Sequence, residues 1–204
     1  MAFDGFVVAA LVKEMNDKLL GGRLYKIAQP EEDELFITIK NNKEQYRLLL
    51  SASASLPLVY ILQDNKPSPL TAPNFCMLLR KHIANGRIIS VTQPGLERIV
   101  RIEVEHLDEM GDLRRKFIVI ELMGKHSNII FCDENNVILD SIKHISAQVS
   151  SVREVLPGRD YFIPHSGEKK NPLTITETEF KELLHSTPQN LSKALYMDLT
   201  GLRP

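Results

Sequence analysis

Apolar residues recur at helical spacing over residues 3–20, at Phe3, Phe6, Val7, Ala10, Leu11, Met15 and Leu19. Asp4 stands where an N-cap carboxylate would accept the first-turn amides, and Gly21-Gly22 ends the run. The period then falls to two. Runs at 23–29, 35–40, 45–51 and 58–62 alternate in part, with Pro30 and the acidic stretch 31–34, then Asn41-Asn42-Lys43, as turns between them. That is the pattern of an antiparallel meander. A Pro/Ser-rich loop at 63–73 leads to a second helix at 74–85, striped by Phe75, Leu78, Leu79, His82 and Ile83 and closed by Asn85-Gly86. Further strands are predicted at 87–93, 99–106, 116–123, 128–133 and 137–141, with hairpin turns at 109–112 and 133–136.

A turn at 156–160 closes this block. Residues 1–163 are therefore read as one α+β domain: two runs of antiparallel strands, each preceded by a helix, forming a two-layer sandwich or barrel. The polar, Pro- and Gly-containing stretch 164–174 is read as a linker. Residues 175–204 are read as the start of a helical module, with short helices at 177–185 and 191–199. The sequence stops at Thr200-Gly-Leu-Arg-Pro204 without a clear cap, as if cut inside that module.

Composition narrows the class without naming a function. The chain has 204 residues, 43% hydrophobic and 25% charged, as a globular domain does. A net charge of −1 conceals an asymmetry: residues 76–101 carry Arg80, Lys81, Arg87, Arg98 and Arg101 against a single acid, Glu97. A nearly neutral protein can still present a local positive field this way, although ordinary solvated charge would look the same. Cys76 and Cys132 lie in apolar runs without metal-ligand spacing, so buried free thiols are expected and a zinc site is not. The opening residues do not read as a secretory signal, and no apolar run is long enough to span a bilayer. A cytoplasmic location is the consistent expectation.

The candidate chemistry is concentrated in three places. Arg80-Lys81-His82 ends the second helix. These residues either complement its dipole from the surface or bind phosphate, and successive side chains about 100° apart cannot all face one ligand. Lys125-His126-Ser127-Asn128 follows Gly124 between two strands. The hydroxyl and amide either satisfy a turn or bond phosphate or ribose groups. Glu97-Arg98 sits at a bend before a strand, where an arginine fork could take a phosphate or base edge beside a carboxylate. Catalysis lacks a signature. The sequence has no nucleophile elbow, phosphate-binding glycine loop or zinc-protease helix, and His82, His126 and His144 are paired with no nucleophile. No cofactor is called for.

With those residues in view, the chain resembles the N-terminal domain of the NFACT family, whose bacterial members were long labelled fibronectin-binding protein A. The likeness rests on Met1-Ala-Phe-Asp-Gly5, Gly22-Arg-Leu-Tyr-Lys-Ile27 with Gln29-Pro30, Leu48-Leu-Leu-Ser-Ala52, Phe75-Cys-Met-Leu-Leu-Arg-Lys-His82, Gly95-Leu-Glu-Arg98, Glu121-Leu-Met-Gly-Lys-His-Ser-Asn-Ile-Ile130 and Val155-Leu-Pro-Gly158. It implies a fold similar to the N-terminal domain of formamidopyrimidine-DNA glycosylases, followed by a helix–two-turn–helix module. It also implies an RNA-binding role without enzymatic chemistry of its own. Such a domain recruits tRNA, alanyl-tRNA in bacteria, to large ribosomal subunits obstructed by peptidyl-tRNA, where template-free tails are added. The family's tRNA-recognition residues correspond to Asp4, Glu97 and Arg98, with Glu97 in place of the usual aspartate. Arg80, Lys81, Lys125 and His126 become supporting phosphate contacts, beside Ser127 and Asn128. Two other classes stay open: a fibronectin-binding surface adhesin and a DNA glycosylase. The latter is opposed by Met-Ala at the start, where the glycosylases carry a nucleophilic proline.

Overall fold

The side-chain carboxylate of Asp4 accepts a hydrogen bond from Val7 N at 2.8 Å and starts helix α1 (Gly5–Leu19). This computed structural model describes residues 3–164, 169–186 and 190–202; parts of the expected linker and the final Arg203-Pro204 fall outside it. The inward stripe of α1 is Val8, Met15 and Leu19, with Leu11 and Val12 partly covered. Phe6 and Val7, read as core positions from the spacing, face outward and are 45% and 37% exposed. The helical period is correct, but its inward face is rotated about one residue from the sequence reading.

The nine expected strands all form: β1 (Arg23–Ala28), β2 (Glu34–Asn41), β3 (Glu44–Ser51), β4 (Leu58–Leu62), β5 (Arg87–Thr92), β6 (Ile99–Leu107), β7 (Leu113–Glu121), β8 (Asn128–Asp133) and β9 (Ile138–Ser141). They make one antiparallel sheet in the order β4-β3-β2-β1-β5-β6-β7-β8-β9. The two meanders are thus halves of an open sheet rather than separate sheets. They are joined where Arg23 pairs with Arg87. Register shifts flank that joint, between Leu24 and Lys26 in β1 and between Ile88 and Ser90 in β5. Such irregularities increase local twist and let a sheet bend on itself. The halves share one core, in which Ile37, Ile39, Leu48 and Leu50 join Ile102, Val104, Ile118, Ile120 and Phe131.

Both preceding helices contribute to that core, α2 (Asn74–Ile83) through Phe75, Cys76, Leu79 and Ile83. The second half-sheet is buried on its other face too. Ile99, Val119, Ile130, Cys132 and Ile138 lie under the segment carrying Ile145, Val155, Tyr161 and Ile163. Tyr161 Oη donates to buried Glu121 at 3.0 Å, and Arg153 forms an ion pair with the same carboxylate. Both cysteines are free and buried, in different clusters, and burial pushes the Cys132 thiol up to about 12.

Helices α3 (Glu177–Ser186) and α4 (Leu191–Asp198) follow. Residues at the end of the expected linker are taken up by them. Lys170 N donates to Asp198 O at 2.8 Å and Thr200 N to Lys170 O at 2.9 Å. The contact of Gly201 with Gly5, 2.7 Å from amide to carbonyl, then holds the helical module back against the sheet domain.

Candidate functional site

Two turns meet at one end of the second half-sheet. Ile99 lies opposite Glu121 in the β6–β7 register, so the turn before β6 and the turn after β7 flank the same edge. Gln93 fastens the first of these to α1: its Nε2 donates to Gly5 O and to Glu97 O, each at 2.8 Å. Gly5 approaches so closely that a Cβ there would stand 2.2 Å from Leu96 O. The second turn is closed by a reciprocal pair, Leu122 N to Arg98 O and Arg98 Nη1 to Leu122 O, both 2.8 Å. Asp4 and Glu97, 93 positions apart in the chain, are thus placed on touching elements, with Arg98 beside them.

The carboxylate of Asp4 marks the N-terminus of a 15-residue helix, where the unpaired amides give a positive field. Arg98 and Glu97 are both half-buried, and the guanidinium is oriented by the Leu122 carbonyl. Lys125 and His126 lie on a single 3-10 turn, Gly124–His126, which begins at φ 60° on Gly124 and buries none of its residues. Exposed Phe6, assigned to the core from periodicity, adds an apolar aromatic face on the same first turn of α1. Only the outward phase of that helix could have revealed it.

The remaining candidates divide. Ser127 and Asn128 are buried, and their polar atoms are used internally. Ser127 Oγ accepts from Met123 N at 2.8 Å; Asn128 donates to Lys143 O at 2.9 Å and accepts from Ile129 N and Lys143 N. They shape the turn that presents Lys125 and His126. Arg80 lies against β1, donating from Nε to Ile27 O at 2.7 Å. Lys81 faces Glu109 at 3.8 Å in the β6–β7 hairpin. That hairpin is at the far end of nine-residue strands, about 30 Å away at ~3.3 Å per residue. Arg80 and Lys81 therefore belong to another part of the surface from Arg98.

The helical module supplies a third wall. Gly5 N donates to Gly201 O at 2.7 Å, and a Cβ on Gly201 would stand 2.7 Å from Leu96 O. Two glycines from opposite ends of the chain thus enclose the carbonyl that precedes Glu97. Chemically, the assembled surface offers an arginine fork, a lysine and an imidazole to anions, and two carboxylates to donors such as base amino groups. Among the described residues, no group of three or more His, Cys, Asp or Glu side chains is placed to hold a metal ion. No helix among them is long and apolar enough to cross a membrane.

An open nine-stranded sheet with a helix before each half, followed by two further helices, defines an α+β domain with a candidate surface at its N-terminal helix. Residues 4–204 match the family described as NFACT N-terminal and middle domains, and the chain belongs to that family. It is 38% identical to the Rqc2 homolog RqcH of Bacillus subtilis, over 100% of this chain and 36% of that protein. It is 24% identical to the human ribosome quality control complex subunit NEMF, over 92% of this chain and 16% of that one. The chain thus spans about a third of the bacterial relative and less of the human one. The crystal structure of the N-terminal domain of fibronectin-binding protein PavA from Streptococcus pneumoniae superposes with TM-score 0.91 at 37% identity, covering 99% of this chain and 76% of that one. The N-terminal part of the fibronectin/fibrinogen-binding protein of Streptococcus suis gives the same TM-score at 35% identity, again over 99% of this chain and 76% of that one.

Proposed function

We propose that this chain is the tRNA-binding module of a cytoplasmic ribosome quality-control factor. It recruits tRNA, alanyl-tRNA by the family resemblance, to large subunits holding stalled peptidyl-tRNA, and the ribosome performs the peptidyl transfer that adds the tail. The observation that carries the reading is the joining of Asp4, Glu97 and Arg98 through Gln93, Gly5 and Leu122. Membership of a family that includes proteins named for ribosome quality control supports it.

In this reading Arg98 takes a phosphate or base edge with its outward donors, Glu97 accepts from a base amino group, and Phe6 stacks against an unpaired base. Lys125 and His126 add phosphate contacts, while Ser127 and Asn128 hold their turn in place. Arg80 and Lys81 lie too far away to share that contact and would meet a more distant part of the same RNA. A fork fixed by the Leu122 carbonyl should outweigh a mobile exposed ammonium. Arg98→Ala is expected to cost about 1–3 kcal/mol of binding, and Lys125→Ala less than about 1 kcal/mol. Fluorescence anisotropy with labelled tRNA checks the ranking; equal losses would remove the specific role of Arg98.

A further inference from the structure

A cavity of about 600 Å³ opens at the far end of β6 and β7, beneath the hairpin that joins them. Lys116 lines it from β7 and donates from Nζ to His106 Nε2 at 2.9 Å. An imidazole nitrogen that accepts from an ammonium carries no proton. The other ring nitrogen, Nδ1, is 3.2 Å from Leu107 O and is then the donor. Lys116 therefore rests on a neutral ring rather than on a carboxylate. His82 lines the same cavity from α2, its ring tilted 46° against Phe131 at 6.1 Å. Burial lowers the proton affinity of His82, His106 and Lys116 alike, and Lys116 lowers that of both histidines further.

Four carboxylates also line the cavity, and each is engaged by a group other than Lys116. Asp108 accepts from Met110 N, Asp112 N and Arg114 Nε. Asp133 accepts from Asn135 N and Val137 N, and Glu134 pairs with Arg114 at 3.3 Å. Glu109, 90% exposed, meets Lys81 only at 3.8 Å. Among the described residues no carboxylate forms an ion pair with Lys116. The half-buried Lys116 ammonium faces the cavity beside two imidazoles, with Glu134, Asp133 and Asp108 acting on it only beyond ion-pair distance, and an anion in direct contact would favour the protonated forms that burial disfavours. The volume falls within the usual range for small-ligand sites, and Leu107 and Leu139 give the cavity an apolar side.

We propose that this cavity is a second anion site, in which Lys116, His82 and Lys81 take a phosphate group, with Glu109 released from Lys81 on binding. It is separate from the Asp4–Glu97–Arg98 surface; it shares Lys81 with the distant RNA contact proposed above, and its test reads His82 and His106, so it stands or falls apart from the function assigned to that surface. The phosphate would come either from a small phosphorylated molecule or from an RNA backbone.

The test is a titration of the 204-residue chain, following the ring-proton resonances of His82 and His106 by NMR. The probes are inorganic phosphate, uridine monophosphate and a short single-stranded oligoribonucleotide. The site predicts saturable shifts of both rings toward their protonated positions, weakened about tenfold in Lys116→Gln and unchanged in the Glu97→Ala/Arg98→Ala double variant. His82→Gln, followed at His106, serves as the second variant if Lys116→Gln fails to fold, and the same weakening is expected. Tighter binding of the oligonucleotide than of phosphate or the monophosphate assigns the site to RNA; the reverse order assigns it to a small phosphorylated ligand. The absence of a saturable shift with every probe, or saturation untouched by both substitutions, would overturn the proposal.

Discussion

Gly5 shows how one missing side chain sets the site. Its amide donates to Gly201 O at 2.7 Å, its carbonyl accepts from Gln93, and a Cβ would stand 2.2 Å from Leu96 O. In an ordinary exposed helix, Gly→Ala is stabilising by up to ~1 kcal/mol. Here the close approach should reverse the sign: Gly5→Ala is expected to cost about 1–3 kcal/mol in urea unfolding, as overpacking does. A stabilised Gly5→Ala would mean that helix and turn do not meet as described. At this scale the sequence was partly legible. The capping role of Asp4 could be read from its place before an apolar helix, because capping is local. The burial of Ser127 and Asn128 could not, since it depends on Lys143 and on a turn closed by tertiary packing.

Among the elements, the segment over 142–163 is what period-two reading could not place. Strand β8 is buried at five of its six positions because this segment covers the face a simple meander would leave wet. Its fastening is the buried Glu121 carboxylate, shared by Arg153 and Tyr161. In sequence Glu121 was an isolated acid, for its partners come 32 and 40 residues later. Removing one member of a buried ion pair strands the other. Glu121→Ala should therefore destabilise the chain by about 3–5 kcal/mol, and Glu121→Leu/Arg153→Met should recover much of that loss. A single-variant cost below about 1 kcal/mol in chemical unfolding, the range of surface pairs, would show that the segment is held by its apolar contacts alone. Strands and helices themselves were well marked, because alternation and glycine- or asparagine-bearing turns are local signals; the rotation of α1 was not, because an apolar stripe does not say which edge meets the sheet.

For the molecule as a whole, two partly or fully covered histidines, His82 on α2 and His106 on β6, are preferred neutral by the folded state. His82 and His106 both lie below their ordinary 6.5, chiefly through burial. The unfolded chain then binds more protons, so stability is complete above about pH 6.5 and falls as the pH drops through and below that value. Thermal midpoints should decline between about pH 7.5 and 5.5, and His106→Gln should flatten the decline. Asp108 and Glu179, held below their ordinary 3.8 and 4.5 by hydrogen bonds, lose their contribution only at lower pH and do not confuse that window. An unchanged slope in His106→Gln would contradict the burial of this ring as a neutral group.

The same long-range architecture makes the candidate site. Asp4 and Glu97-Arg98 could be grouped in advance only through the family likeness, since spacing alone gives no reason for them to meet. The fold supplies that reason in Gln93, Gly5 and the β6–β7 register. It also separates Arg80 and Lys81, which likeness had grouped with them. The most direct measurement is binding of this chain to a panel of purified tRNAs at two salt concentrations, beside the Glu97→Ala/Arg98→Ala double variant. Selective binding to one isoacceptor set is expected, weakening steeply with salt and lost in the double variant while its unfolding midpoint is retained. Weak, equal binding to every tRNA, unchanged by the two substitutions, would contradict it.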